Sequence, residues 1–182
     1  AIWLERQEKR RMAMRRYLYN HESCIYEDYD FVREKRNPAP YATAFYAQWA
    51  GVYLEQADAH KGARAILAQL ETDHGIVTST ELSGCQWDYP FGWPPLQYFA
   101  MAGLARAGLV DDARRIARKF ITLAQSVYEE HGALFEKYNM RDGNADIRVS
   151  LGYHDNASEN GTFLWTAASL KLAQHLLAGA KL

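Results

Sequence analysis

The stretch PPLQYFAMAGLARAGLVDDARRIARKFITLAQSVYEE, Pro94 to Glu130, joins two segments of opposite character. Through Ala107 it is nearly free of charge, so a helix there can be buried on most sides. After the short break Gly108 to Val110 the pattern changes. Ala113, Ile116, Ala117, Phe120, Leu123, Ala124 and Val127 recur at spacings of three and four among charged residues, which predicts a helix with a single dry face. Asp111 stands where an N-cap belongs.

The same alternation runs outward from this pair. Ala1 to Leu18 sets Trp3, Leu4, Met12, Met14 and Tyr17 among six basic residues and reads as a helix with one wet face. YATAFYAQWAGVY, Tyr41 to Tyr53, carries no charge. AHKGARAILAQLE, from Ala59, is amphipathic, and TFLWTAASLKLAQHLL, Thr162 to Leu177, holds only Lys171. Charged and apolar helices therefore take turns, as they do where apolar helices line the inside of two concentric layers. The expected fold is all-α, an α/α toroid segment of about three helical hairpins that forms half of an (α/α)6 barrel. Half a toroid exposes two edges of apolar helix, so an upstream segment, a second chain or self-association is expected to complete it.

The joints alternate as well. Turns from apolar to amphipathic helices are short, whereas His21 to Pro40, Thr72 to Trp93 and Glu130 to Gly161 are long and should emerge at one end. Long irregular connections in a compact domain are usually functional. These hold Glu27, Asp28, Asp30, Glu81, Asp88, Glu136 and Asp155 beside Trp87, Trp93, Tyr138 and Tyr153. Aromatic faces stack on the CH faces of a sugar ring and carboxylates accept its hydroxyl hydrogens. Paired carboxylates also carry out glycoside hydrolysis, one as acid and one as base.

Composition removes other classes. The 182 residues fit one domain. With 21 basic against 22 acidic side chains there is no field to draw nucleic acid or an anionic membrane. Neither a membrane-spanning run nor a signal peptide is seen. Cys24 and Cys85 show no paired spacing, and the six histidines no metal-binding spacing, so no metal and no cofactor are expected. The triplets at Asn156 and Asn160 match glycosylation acceptors, but such short patterns arise by chance.

Four phrases in order carry a resemblance: YEDYDF from Tyr26, QWDYPFGWPPLQ from Gln86, LFEKYN from Leu134 and GTFLWT from Gly161. Together they resemble the trehalases, glycoside hydrolase family 37, across nearly the whole chain. Pro94 stands where that family usually has Ala, and Thr162 and Leu164 where glycines are common. The resemblance implies an inverting hydrolase that splits trehalose into two glucose molecules. It places the general base on Glu136 and substrate contacts on Trp87, Asp88, Trp93, Tyr138, Glu159 and Trp165. The family's Pro-Gly-Gly-Arg-Phe and Tyr-x-Trp-Asp signature is not in this sequence, nor is its Gly-Trp-Asp motif with the general acid. The resemblance thus reads residues 1–182 as the carboxyl-terminal portion of an (α/α)6 catalytic domain, with a base and no acid. Two other readings stand beside it: a non-catalytic carbohydrate-binding or assembly module, and a related α/α-barrel glycosidase acting on another α-glucoside.

Overall fold

The structure is a computed structural model that describes residues 2–146 and 164–179. Helix α4 (Pro94–Arg106) is the element around which the others pack. It starts where the sequence demands: Trp93 is extended and Pro94 occupies the first helical position, where a missing N–H costs nothing. α4 meets α2 (Phe45–Ala50) along one side and α6 (Leu164–Leu177) along another, while α5 (Val110–His131) lies against both α4 and α6. That is why Leu96, Ala100, Met101, Ala102 and Leu104 are all buried, although they do not share one face. Gly103 allows the approach of α2: a Cβ there would stand 2.9 Å from Gln48 Cβ and 3.0 Å from the Phe45 carbonyl oxygen.

The amphipathic helices behave as their spacing predicts, with one exception. All seven periodic apolar residues of α5 are buried. Helix α3 (Gln56–Leu70) buries Ala59, Ala63, Ile66, Leu67 and Leu70. By contrast α1 (Ile2–Tyr17) has no buried residue at all, and Trp3 and Leu4 are 73 % and 71 % exposed. Its apolar residues do not gather on one side, so no dry face forms among the described residues.

Further corrections concern local detail. The helix expected across residues 41–53 shrinks to a 3₁₀ turn (Ala42–Ala44) followed by α2. Asp111 does not cap α5; Leu109 holds that position and Asp111 lies in the first turn, where its charge still favours the N-terminus. Nor is the chain wholly helical. Strands β1 (Asp28–Asp30) and β2 (Lys35–Asn37) form a hairpin, and β3 (Phe91–Gly92) pairs antiparallel with β4 (Tyr138–Asn139).

Those small pairings tie the long connections together. Ala42 N–H donates to the Thr78 carbonyl at 2.8 Å, Thr78 N–H donates to the Phe91 carbonyl at 2.8 Å, and Phe91 pairs with Asn139. The ladder runs from the 3₁₀ turn that follows the first connection, through the second connection, to the third. Gly92 is required in it, since a Cβ would stand 2.5 Å from the Ile76 carbonyl oxygen and 2.4 Å from Met140 Cγ.

One buried amide ties the second connection to α4, and one charged cluster joins the end of α3 to α5. Gln97 of α4 is completely buried; its Oε1 accepts the Ile76 N–H at 2.9 Å and its Nε2 donates to the Ile76 carbonyl at 2.6 Å. At the end of α3, Glu71 accepts Arg115 Nε at 2.8 Å, Arg115 Nη2 at 2.9 Å and Lys119 Nζ at 2.7 Å. Burial alone would raise the Glu71 pKa, but hydrogen bonds from Arg115 and Lys119 outweigh it and hold the carboxyl below the usual range.

Replacing Gln97 with Leu strands both Ile76 groups and should cost about 2–4 kcal/mol in urea unfolding; an unchanged midpoint would contradict the clamp. Glu71 has a depressed folded pKa, so its contribution is present above the unfolded value and lost as pH falls through the folded one. Stability should therefore drop as pH falls below about 4.3, and Glu71→Gln should flatten that part of the profile.

Candidate functional site

The β3–β4 pairing brings QWDYPFGWPPLQ alongside LFEKYN. Gly92 stands opposite Tyr138, so Trp93 and Lys137 flank adjacent rungs of one ladder. Helix α6 adds the end of the last motif: the Trp165 ring meets Trp93 edge-on at 6.0 Å, and Thr166 Oγ1 donates to the Phe135 carbonyl at 2.8 Å. Three of the four phrases therefore converge, and Glu136 sits among them.

The aromatic residues divide by exposure. Trp87 and Trp93 stack at 3.7 Å with planes 3° apart. Trp93 is 2 % exposed and its indole N–H donates to the Gln86 carbonyl at 2.9 Å, whereas Trp87 is 44 % exposed. Trp93 is thus the backing and Trp87 the open plate, with Trp165, 38 % exposed, beside them. Tyr138 differs from expectation: no part of it is exposed, its ring meets Phe120 edge-on, and its hydroxyl accepts the Phe135 N–H at 3.2 Å. Burial raises the Tyr138 pKa against the lowering effect of that bond, so it stays a neutral packing phenol rather than a group facing a ligand.

Glu136 is half-buried, between buried Phe135 and buried Lys137. The backbone of the residue before it is held from two elements: Phe135 N–H donates to the Tyr138 hydroxyl of β4, and the Phe135 carbonyl accepts from Thr166 of α6. A carboxylate on a short irregular segment is thereby placed without being sealed in packing.

Asp88 serves first as a loop anchor. Ser79 Oγ donates to Oδ1 at 2.9 Å and Ser83 Oγ donates to Oδ2. Each oxygen keeps a further lone pair, so a sugar hydroxyl could still be received. Tyr41 is the residue that sequence reasoning missed here. Its pKa is raised by burial first, then by the charges of Asp88, Glu81 and Asp28, which places the phenol among acids from the first and second connections. Its one sequence signal is the rigid PAPY lead-in. Glu27 and Asp30 are occupied locally, Glu27 by Asn20 and Arg36, Asp30 by the Val32 and Arg33 N–H groups. Tyr153, Asp155 and Glu159 lie outside the described residues. Among the described residues, none of the predicted site residues lines the cavity of about 640 Å³ bounded by Trp3, Arg10, Met14, Tyr46, Trp49 and Phe99.

A family model described as Trehalase matches residues 1–175. The chain belongs to the trehalase family. It is 34 % identical over 186 residues to the cytosolic neutral trehalase of Pyricularia oryzae, a match spanning 93 % of this chain and 25 % of that protein. It is 37 % identical over 135 residues to the periplasmic trehalase of Pseudomonas aeruginosa, spanning 74 % and 24 %. Among solved structures, the neutral trehalase Nth1 of Saccharomyces cerevisiae superposes with a TM-score of 0.76 at 28 % identity, over 96 % of this chain and 30 % of that one. A family 63 mannosylglycerate hydrolase from Thermus thermophilus gives 0.62 at 20 % identity, covering 86 % and 36 %, a likeness of fold alone. The chain spans about a quarter of the length of the curated trehalases it matches, and its helices match part of the α/α toroid.

Thr166→Val keeps the shape but leaves the buried Phe135 carbonyl unpaired. It should cost about 1–2 kcal/mol, and equilibrium unfolding indistinguishable from the unsubstituted chain would remove Thr166 from the account of how Glu136 is held.

Proposed function

We propose that this chain supplies the base side of an inverting, trehalose-hydrolysing site, with Glu136 as general base and Trp87 as sugar platform. The observation that supports it is the β3–β4 pairing, which joins the Trp87 loop to the Glu136 segment at one end of the helices. An inverting base must be ionised, must be held still and must leave space for the water it activates. Half-burial of Glu136 next to Phe135, whose backbone N–H and carbonyl are both held, is consistent with a fixed carboxylate that water can reach. Trp87 offers one ring face outward because Trp93 covers the other; Asp88, next to it in the chain, could orient hydroxyls, and Trp165, edge-on to Trp93, could fix the ring edge. Glu159, which the family resemblance puts near the sugar, completes the proposed set.

The general acid is expected in the part of the relatives that this chain does not span. On this reading the chain forms half of an (α/α)6 barrel, the carboxyl-terminal portion of the catalytic domain, and is inactive until the other portion is supplied. The largely exposed α1 and the 640 Å³ apolar groove between α1, α2 and α4 are the surfaces on which that portion would seat. A sugar-binding module without chemistry would use the same platform without needing an ionised Glu136.

The test is to combine this chain with a polypeptide carrying the upstream motifs and to assay trehalose hydrolysis. Glu136→Gln should lower turnover by about 10²–10⁴-fold with trehalose still bound. Trp87→Ala should instead raise KM by about tenfold, as expected for loss of one aromatic contact. Normal turnover in the Glu136→Gln assembly refutes the base; trehalose binding with no hydrolysis in any assembly favours the module.

A further inference from the structure

Lys137 is 1 % exposed, and lysine is almost never placed that deeply unless its charge is compensated. Its ammonium lies 5.8 Å from the centre of the Phe91 ring and 5.7 Å from that of Trp93. At such distances the negative face of an aromatic ring attracts a cation. Trp93 in turn carries Trp87 flat against it. Lys137 also follows Glu136 directly and leads into β4, whose Tyr138 pairs with Gly92 beside Trp93. A methionine or leucine would fill similar space without desolvating a charge, so the charge is what calls for a role.

Two rings stacked squarely face to face repel through their quadrupoles and tend to slip sideways into an offset. A cation over a ring is different, since the quadrupole draws it toward the centre of the face. The ammonium thus supplies the lateral restraint that the Trp87–Trp93 stack lacks, and it does so from the residue bonded to Glu136.

We propose that Lys137 is a positioning residue for carbohydrate binding. Its ammonium pins Trp93, Trp93 sets the position of Trp87, and the platform is thereby kept in register with Glu136. The role in sugar binding rests on the function proposed above; the mechanical linkage does not.

Two measurements test it. In the chain by itself, the ultraviolet circular dichroism due to the coupled indoles is defined as the signal lost in Trp87→Phe. Lys137→Met should lose most of that signal while the helical signal persists, and Lys137→Arg, which keeps a cation suited to aromatic faces, should retain it. An unchanged indole signal in Lys137→Met overturns the linkage. If Lys137→Met loses its helical signal, Lys137→Arg decides: retention supports the linkage and loss overturns it. In the assembled enzyme, Lys137→Met should raise KM for trehalose by about tenfold with little change in kcat. Combined with Trp87→Ala it should add little further, because both substitutions remove the same platform. Fully additive effects, or a fall in kcat alone, would show that Lys137 does not act through Trp87. An assembly that never turns over trehalose counts against the proposed function and not against the linkage, which the dichroism then decides alone.

Discussion

The architecture depends on a run of main-chain hydrogen bonds that joins three stretches distant in the chain: Ala42 to Thr78, Thr78 to Phe91, and Phe91 paired with Asn139. Helices alone would leave these connections as independent loops, each free to sample many conformations at a cost in order on binding. Joining them backbone to backbone makes one rigid floor. Side chains then need only project from it. The buried Gln97 amide, which satisfies both polar groups of Ile76, fastens that floor to the helix lying at the centre of the packing.

The electrostatics follow the same division between support and surface. The strongest charged cluster, Glu71 with Arg115 and Lys119, lies at the joint of α3 and α5 and holds helices rather than ligand. Asp88, at the candidate site, is instead engaged by the hydroxyls of Ser79 and Ser83. A carboxylate bonded in this way can orient a hydroxyl without having to be ordered at the moment of binding.

What the sequence revealed and what it hid have different physical causes. The α5 periodicity spans many residues, so every one of its seven apolar positions could be read and all are buried. The strands of the ladder are two residues long, too short to show any alternation, and their partners lie far apart in the chain. Motif resemblance brought out Trp87, Trp93, Tyr138 and Glu136 together, but it could not separate the open indole from the hidden one or see that Tyr138 faces the core. Exposure is set by what packs on a residue, and two tryptophans six positions apart look alike until the chain is folded. Tyr41 went unseen for the same reason, because its acidic surroundings come from other segments. The one wet face expected for α1 implies a dry one opposite, which does not form because its apolar residues are not aligned on one side.

The bond from Thr166 to the Phe135 carbonyl spans 31 positions. During synthesis the segment around Glu136 leaves the ribosome well before α6 can form and reach back to it. Until then that segment lacks one of its two braces. A chain without α6 would leave the Phe135 carbonyl, one residue before Glu136, without its Thr166 partner.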